Sequence, residues 1–329
     1  MRYQILGRSG IKASVVGLGT WAISGWMWGG TDEANSVKAI HASIDAGVNL
    51  IDTAPAYGVG LAEQIVAKAI RDRRDKVVLA TKCGLVWHTD KGQYHEIQYG
   101  RRVHRFLGPE SIRYELEESL KRLGTDYIDL YQTHWQDETT PIEDTTGMLV
   151  RLKQEGKIRA VGVSNGSSAR LEKYHRLGPV DSDQEEYNVL NRDVEVELLP
   201  YCRANDIAVL AYSPLAQGLL SGRIPLDHHF PQGDFRHDHA RFSLENRKKV
   251  AAMLESIQPV ACGHGVSLAQ IAIAWTISPG RATHALVGAR NAEQARENAG
   301  AGDLQLDEDE LAFINQETER YASGIPHLL

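Results

Sequence analysis

Residues 47–58 read G-V-N-L-I-D-T-A-P-A-Y-G. Val48, Leu50 and Ile51 make the kind of short apolar run that becomes a strand buried on both faces. The run ends in a carboxylate, Asp52, and five residues later a phenol, Tyr57, stands on a loop punctuated by Pro55 and Gly58. A strand that only builds a core gains nothing from a terminal acid, so Asp52 directs attention to what surrounds the strand's end.

Seven further segments have the same character: Val15–Gly19, Val77–Lys82, Ile128–His134, Ala160–Ser164, Ser182–Glu186, Ala208–Tyr212 and His284–Val287. With Val48–Asp52 they make eight. Between them lie helix-like stretches, where Ala34, Val37, Ile40 and Ile44, and then Ile112, Leu116, Leu120 and Leu123, recur at helical spacing. Thr140-Pro141-Ile142-Glu143 reads as a capping box with proline at the first helical position, and Asp307-Glu308-Asp309-Glu310 as an acidic helix start. Strict alternation implies a parallel sheet, and eight repeats imply closure into a (β/α)8 TIM barrel. A short N-terminal β-hairpin, Tyr3–Leu6 with Lys12–Ser14, is expected to close the barrel floor. No linker or composition shift divides residues 1–329, which predicts a single domain. Two long insertions, Cys83–Leu107 and Leu215–Phe242, follow strand ends and read as functional loops.

Composition narrows the function. A chain of 329 residues with 42% hydrophobic and 24% charged side chains has the apolar material for one large soluble core. The formal net charge of -7 argues against non-specific nucleic-acid binding. Cys83, Cys202 and Cys262 are too few and scattered for a disulfide framework or a zinc knuckle, which favours a reducing, cytoplasmic location. Met1–Gly10 has no apolar signal region, and Ala13–Thr31, although uncharged, holds five glycines and reads poorly as a membrane span.

In a (β/α)8 barrel the active site lies at the C-terminal ends of the strands. There the second strand ends in Asp52, the third in Lys82 (A-T-K-C-G) and the fourth in His134 (Y-Q-T-H-W), with Tyr57 on the loop after Asp52. Taken singly, these would be a helix cap, a solvated rim lysine, a core histidine and an aromatic cover. Their convergence at one pole is what chemistry explains. A phenol is a weak acid near neutral pH; a nearby ammonium lowers its pKa, a carboxylate fixes that ammonium, and an imidazole can orient a carbonyl oxygen. The set suits hydride delivery to a carbonyl, with Tyr57 giving the proton.

These motifs, together with L-G-R-S-G-I-K (Leu6–Lys12), L-G-T-D-Y-I-D-L-Y-Q-T-H-W, R-A-V-G-V-S-N, A-Y-S-P-L-A-Q-G-L-L-S-G and V-G-A-R-N-A-E-Q-A-R-E-N (Val287–Asn298), resemble the aldo-keto reductase superfamily over nearly the whole chain. The resemblance implies a catalytic tetrad of Asp52, Tyr57, Lys82 and His134. It also implies a nicotinamide cofactor across the barrel mouth, near Gly19, Thr20, Trp21 and Asp52. Ser164, Asn165 and Gln184 would bind the carboxamide, and Tyr212 would stack on the ring. Ser213, Leu215, Gln217, Gly218 and Leu219 would wrap the pyrophosphate, with Arg223 neutralising charge. Gly288, Arg290, Gln294 and Asn298 would hold the adenosine end, where a helix N-terminus attracts phosphate. Better-known members carry lysine at Gly288 and arginine at Gln294. NADPH is nonetheless expected to be preferred, with NADH accepted. No G-x-G-x-x-G follows the early strands; Gly17-Leu18-Gly19 starts that pattern without completing it and reads as tight strand packing.

Trp21, Trp26, Trp28, Trp87 and Trp135 fall at strand ends or on the loops after them and together suggest an aromatic substrate pocket. Arg101-Arg102-Val103-His104-Arg105 reads as a solvated basic face that can meet an anionic substrate. His228, His229, His237 and His239 crowd one loop without metal-ligand spacing, so no metal is expected. The expected activity is reduction of a sugar-like, aryl or bulkier carbonyl, with physiological alcohol oxidation as the reverse. The rivals are a cofactor-binding regulatory subunit like the potassium-channel β subunits, for which no extended terminal segment is seen, and a barrel enzyme acting on phosphorylated sugars. None of these motifs specifies the oligomeric state.

Overall fold

The computed structural model describes residues 1–328. Eight parallel strands close into a barrel: Val16–Gly19, Leu50–Asp52, Val78–Cys83, Ile128–Thr133, Ile158–Ser164, Ser182–Glu186, Ala208–Tyr212 and His284–Gly288. Each pairs with the next in sequence, and the eighth returns to the first with Gly288 opposite Gly19. This is the (β/α)8 TIM barrel that the alternation implied.

Side chains alternate across a strand, so every second residue points inward. Leu50, Ala80, Leu130, Ala160, Leu210 and Leu286 fill the interior, joined by Leu6 and Ala13 of the hairpin Tyr3–Ile5/Lys12–Ser14. Burying each such leucine contributes roughly 1.5–3 kcal/mol. The intervening residues Ile51, Leu79, Tyr131 and Val161 point outward into the helix layer. Two residues beyond Leu50, Ala80 and Leu130 stand Asp52, Lys82 and Gln132, which therefore form a polar layer directly above the apolar one. Gly162 makes room for it: a Cβ there would lie 2.6 Å from Ser182 Oγ and 2.7 Å from Gln132 Cγ. Gly17 serves the apolar layer in the same way, since its Cβ would lie 2.9 Å from side-chain carbons of Leu50 and Leu286.

The helices start and stop where local chemistry directs. Asp32 accepts from the Asn35 amide to cap Glu33–Asp45. Pro109–Leu123 opens on proline and closes on Gly124 at φ +64°. Asp307 and Glu310 form a reciprocal capping box on Glu308–Ala322. The expected box at Thr140 is corrected: Pro141 is itself the cap of Ile142–Gln154, and the Thr140 hydroxyl donates to Asp137 Oδ2 at 2.6 Å. Asp137 also accepts from the Thr139 hydroxyl and the Leu107 amide, which draws Thr140 away from the helix end.

The first insertion is folded: Leu85–Val86, Gln93–Gln98 and Arg101–Arg105 form an antiparallel sheet on the barrel rim. Its strands were hidden because most of their side chains are polar on both faces. The second insertion is a series of 3₁₀ turns pinned to the first strand's loop, with the Phe235 amide 3.1 Å from the Met27 carbonyl. Its histidines are dispersed: His228 packs edge-on against Phe230, His237 contacts Asp238, and His239 Nε2 lies 3.1 Å from the Leu328 carbonyl. Among the described residues no cluster of His, Cys, Asp or Glu is arranged to hold a metal ion, and no single helix is long and apolar enough to cross a membrane.

Candidate active site

Four inward or mouth-facing groups meet where the second to fourth strands end. Lys82 Nζ donates to Asp52 Oδ1 at 2.5 Å, to the Thr53 carbonyl at 3.1 Å and to the Tyr57 hydroxyl oxygen at 3.2 Å. Lys82 is fully buried and Asp52 nearly so. The His134 ring stands edge-on to Tyr57, 5.6 Å between centroids. Because the ammonium donates to the phenol oxygen, the phenol's own proton is directed elsewhere and remains available to a third partner.

Electrostatics sharpen the roles. Burial raises the Tyr57 pKa, and although the Lys82 charge pulls it down, the net shift is upward. The sequence reading weighed only the ammonium; desolvation is the larger effect. Burial opposes the Lys82 ammonium, but Asp52 and then Tyr57 outweigh it, so Lys82 stays charged. Burial, followed by the Lys82 charge, pushes His134 well below the usual imidazole range, which keeps its ring neutral.

Amide side chains from neighbouring strands flank the four. Asp52 Oδ2 accepts from Gln132 Nε2 at 3.0 Å and from Gln184 Nε2 at 2.9 Å. Gln184 Nε2 also donates to Gln132 Oε1 at 3.1 Å. Asn165 Nδ2 donates to the His134 carbonyl at 2.9 Å and to Ser164 Oγ at 3.0 Å, while Asn165 Oδ1 accepts from the Tyr212 hydroxyl at 2.8 Å. Gln132 was not singled out in the sequence; its signal was position, two residues after Leu130 on one strand and so on the same inward face.

From Tyr212 the rim continues through backbone of unusual conformation. Ser213, Ala216, Gln217 and Gly218 all have positive φ, and Asn165 opposite them has φ +55°. Non-glycine residues take this conformation at a cost of roughly 1–2 kcal/mol each and cluster at ligand sites, where such turns gather amide N–H groups into anion-binding concavities. Gln217 is fixed at both ends of its amide, donating to Ser213 Oγ at 2.6 Å and accepting from the fully buried Arg241 Nη1 at 2.9 Å. Leu215 and Leu219 pack beneath this turn.

The eighth strand completes the mouth. Gly19 and Gly288 stand side by side, and a Cβ on either would meet nothing nearer than 3.7 Å, which leaves a notch between the two strand ends. The Thr20 hydroxyl beside it is buried and meets no protein partner among the described residues. Arg290 Nη2 reaches the Gly30 carbonyl at 3.3 Å, Gln294 Oε1 accepts from the Arg290 amide at 2.9 Å, and Asn298 Nδ2 donates to the Gly288 carbonyl at 3.0 Å. Arg223 is already paired, 2.8 Å from Glu297. The unpartnered Thr20 hydroxyl, the positive-φ turn Ser213–Gly218 and the Arg290 guanidinium are the kinds of donor that a dinucleotide would require.

The tryptophans divide. Trp21 and Trp28 meet at 5.2 Å and both pack on Phe235, stacked at 5.5 Å and edge-on at 5.4 Å, which joins the first and seventh strands' loops. Trp135 lies on the rim sheet with His95 and Arg105 instead. Trp26 and Trp87 are half-buried on their loops. Phe235 escaped the sequence reading because its immediate neighbours are polar and the two tryptophans it packs against are more than two hundred residues away.

Fold and mouth together define a barrel oxidoreductase. The chain belongs to the aldo/keto reductase family, whose model matches residues 15–318; members reduce carbonyl groups with nicotinamide cofactors. It is 41% identical to the aldo-keto reductase YhdN of Bacillus subtilis over 297 residues, covering 89% of this chain and 86% of that one. It is also 41% identical to an NADH-specific methylglyoxal reductase of Escherichia coli over 320 residues, 95% and 97% of the two chains. Among solved structures, the glycerol dehydrogenase AKR11B4 of Gluconobacter oxydans superposes with a TM-score of 0.88 at 37% identity, covering 99% of this chain and 98% of that one.

The buried pair yields a prediction. Asp52→Ala leaves the Lys82 ammonium without its counter-ion and is expected to cost about 3–5 kcal/mol in chemical denaturation. Replacing both, Asp52→Leu with Lys82→Met, is expected to recover most of that stability, because the uncompensated charge is gone.

Proposed function

We propose that this protein reduces an aldehyde or ketone to the alcohol, with Tyr57 as general acid, Lys82 holding and tuning the phenol, Asp52 fixing Lys82, and His134 orienting the carbonyl. The observation that carries the reading is the three-way contact of Lys82 Nζ with Asp52, the Thr53 carbonyl and the Tyr57 hydroxyl. When bound, the reduced nicotinamide supplies hydride to the carbonyl carbon. The chain's own groups handle the oxygen. His134, neutral, donates an N–H to it, and the phenol passes it a proton as negative charge develops; the resulting phenolate lies beside the Lys82 ammonium. An alkoxide is far more basic than a phenolate, so a pKa raised by burial does not prevent the transfer. It keeps Tyr57 protonated at working pH.

The same groups run in reverse, with a Tyr57 phenolate accepting the proton of an alcohol. Similarity to a glycerol dehydrogenase makes oxidation of a hydroxyl the second reading. At the adenosine end Arg290 can pair with a 2′-phosphate, which favours NADPH, with NADH also accepted. The NADH-specific relative from Escherichia coli is the contrary precedent. Free thiols at Cys83, Cys202 and Cys262 favour a reducing, cytoplasmic setting, and one barrel spanning residues 16–288 favours a single domain.

Two experiments test this. Tyr57→Phe is expected to lower carbonyl reduction about 10²–10⁴-fold while cofactor binding persists; full activity would remove Tyr57 as the acid. Reduction by the parent enzyme is expected to be flat through neutral pH and to fall only above the ordinary phenol value of 10.0, since the raised pKa places deprotonation there, whereas oxidation rises with pH. In the second, Arg290→Ala is expected to reduce kcat/KM for NADPH by tenfold or more, about 1.4 kcal/mol, and to leave NADH unchanged. Equal effects on the two cofactors would exclude recognition of the 2′-phosphate by Arg290.

A further inference from the structure

The rim sheet carries a cation that the reaction scheme does not use. Arg105 ends the strand Arg101–Arg105 and lies opposite Leu85 and Gln93. Its guanidinium carbon is 4.3 Å from the centre of the Trp135 ring. Trp135 directly follows His134 and packs against Ala56, Leu85 and Val103, and Ala56 directly precedes Tyr57. Arg105 is therefore one side chain removed from the segments that carry two of the four central residues.

Its nearest side-chain partners carry no negative charge. Arg105 Nε donates to His95 Nδ1 at 3.1 Å. His95 thus accepts at Nδ1 and carries its proton at Nε2. Burial and the adjacent Arg105 hold His95 down at about 4, so that ring is neutral, and it lies 5.5 Å from Trp135. Among the described residues no carboxylate stands within ion-pair distance of Arg105, and its remaining N–H groups meet no protein acceptor. Other part-buried arginines are compensated: Arg170 by Glu138, Arg236 by Asp234, Arg281 by Glu195. The acid next in sequence to His95, Glu96, is pushed up to about 7 by burial.

A guanidinium stacked on an indole, partly desolvated and lacking a counter-ion, is a bidentate receptor for an oxyanion. Building on the carbonyl-reducing role of the mouth, we infer that Arg105, with His95 Nε2 beside it and Trp135 beneath it, selects substrates that carry a carboxylate or phosphate in the same molecule as the reacting carbonyl. The anion sits on the rim sheet while the carbonyl reaches Tyr57 and His134. This makes Arg105 a specificity-determining residue, and the insertion after the third strand the element that sets the substrate class. It also gives the basic run Arg101–Arg105 a use confined to its last member; Arg101 and Arg102 are exposed and face solvent.

The test compares 4-carboxybenzaldehyde with its methyl ester, and glyceraldehyde 3-phosphate with glyceraldehyde, in the intact enzyme. The expected result is a kcat/KM at least tenfold higher for the anionic member of one pair; which pair responds identifies carboxylate or phosphate. Arg105→Met is expected to erase that preference through KM while leaving the neutral aldehydes and NADPH binding unchanged, and Arg105→Lys to restore part of it. Equal use of anionic and neutral members in both pairs would overturn the inference, as would an Arg105→Met variant that loses both members alike. Quenching of tryptophan fluorescence by benzoate and by inorganic phosphate, measured in the inactive Tyr57→Phe background, is read separately. Quenching that depends on Arg105 supports the anion site even if no carbonyl proves to be a substrate, a result that would instead overturn the proposed reaction. Quenching by both anions that is indifferent to Arg105 counts against the site.

Discussion

The ion pair between Lys82 and Asp52 is the constraint on which the mouth of the barrel depends. Two charges removed from water are costly, and their attraction repays that cost only when the remaining donors and acceptors are satisfied. Here they are: Lys82 reaches the Thr53 carbonyl and the Tyr57 oxygen as well, and Asp52 accepts from two glutamine amides. The network fixes the phenol's position through its oxygen and leaves its proton unclaimed. A lysine and aspartate paired on the surface, with freely turning side chains, would do neither.

That polar layer exists because an apolar one lies under it. Leu50, Ala80 and Leu130 face inward at one level, so Asp52, Lys82 and Gln132 must face inward at the next. Glycine at 162 keeps the level wide enough for Gln132. Rigidity below permits strain above, where Asn165, Ser213, Ala216 and Gln217 hold left-handed conformations that a freer loop would relax. Arg241, fully buried and bonded to Glu186, Gln217 and the Pro326 carbonyl, ties that strained turn to the end of the chain.

Much of this was legible in sequence, for a physical reason. Buried parallel strands read as apolar runs, and an Asp, Lys or His at the end of such a run has few places to point. The eight strands, the hairpin floor and the meeting of Asp52, Tyr57, Lys82 and His134 followed from that. What escaped depended on long-range contact. Phe235 acquires its place from Trp21 and Trp28, and Arg241 from Glu186, with nothing local to announce either. The rim sheet was hidden because it lacks the apolar alternation of a half-buried strand. Thr140 misled because Asp137 competes for its hydroxyl. The balance at Tyr57 also required coordinates, since a charge three ångströms away is visible as a residue type but the depth of burial is not.

Burial keeps the Tyr57 phenol protonated while Lys82 pulls the other way. The most direct measurement is the titration of Tyr57 by NMR, with ring-¹³C-labelled tyrosine and Tyr57→Phe to assign the signal. That balance predicts a midpoint above the ordinary value of 10.0, rising further when Lys82 is replaced by methionine. A Tyr57 resonance already that of phenolate at neutral pH, or one that Lys82→Met leaves unmoved, would contradict it.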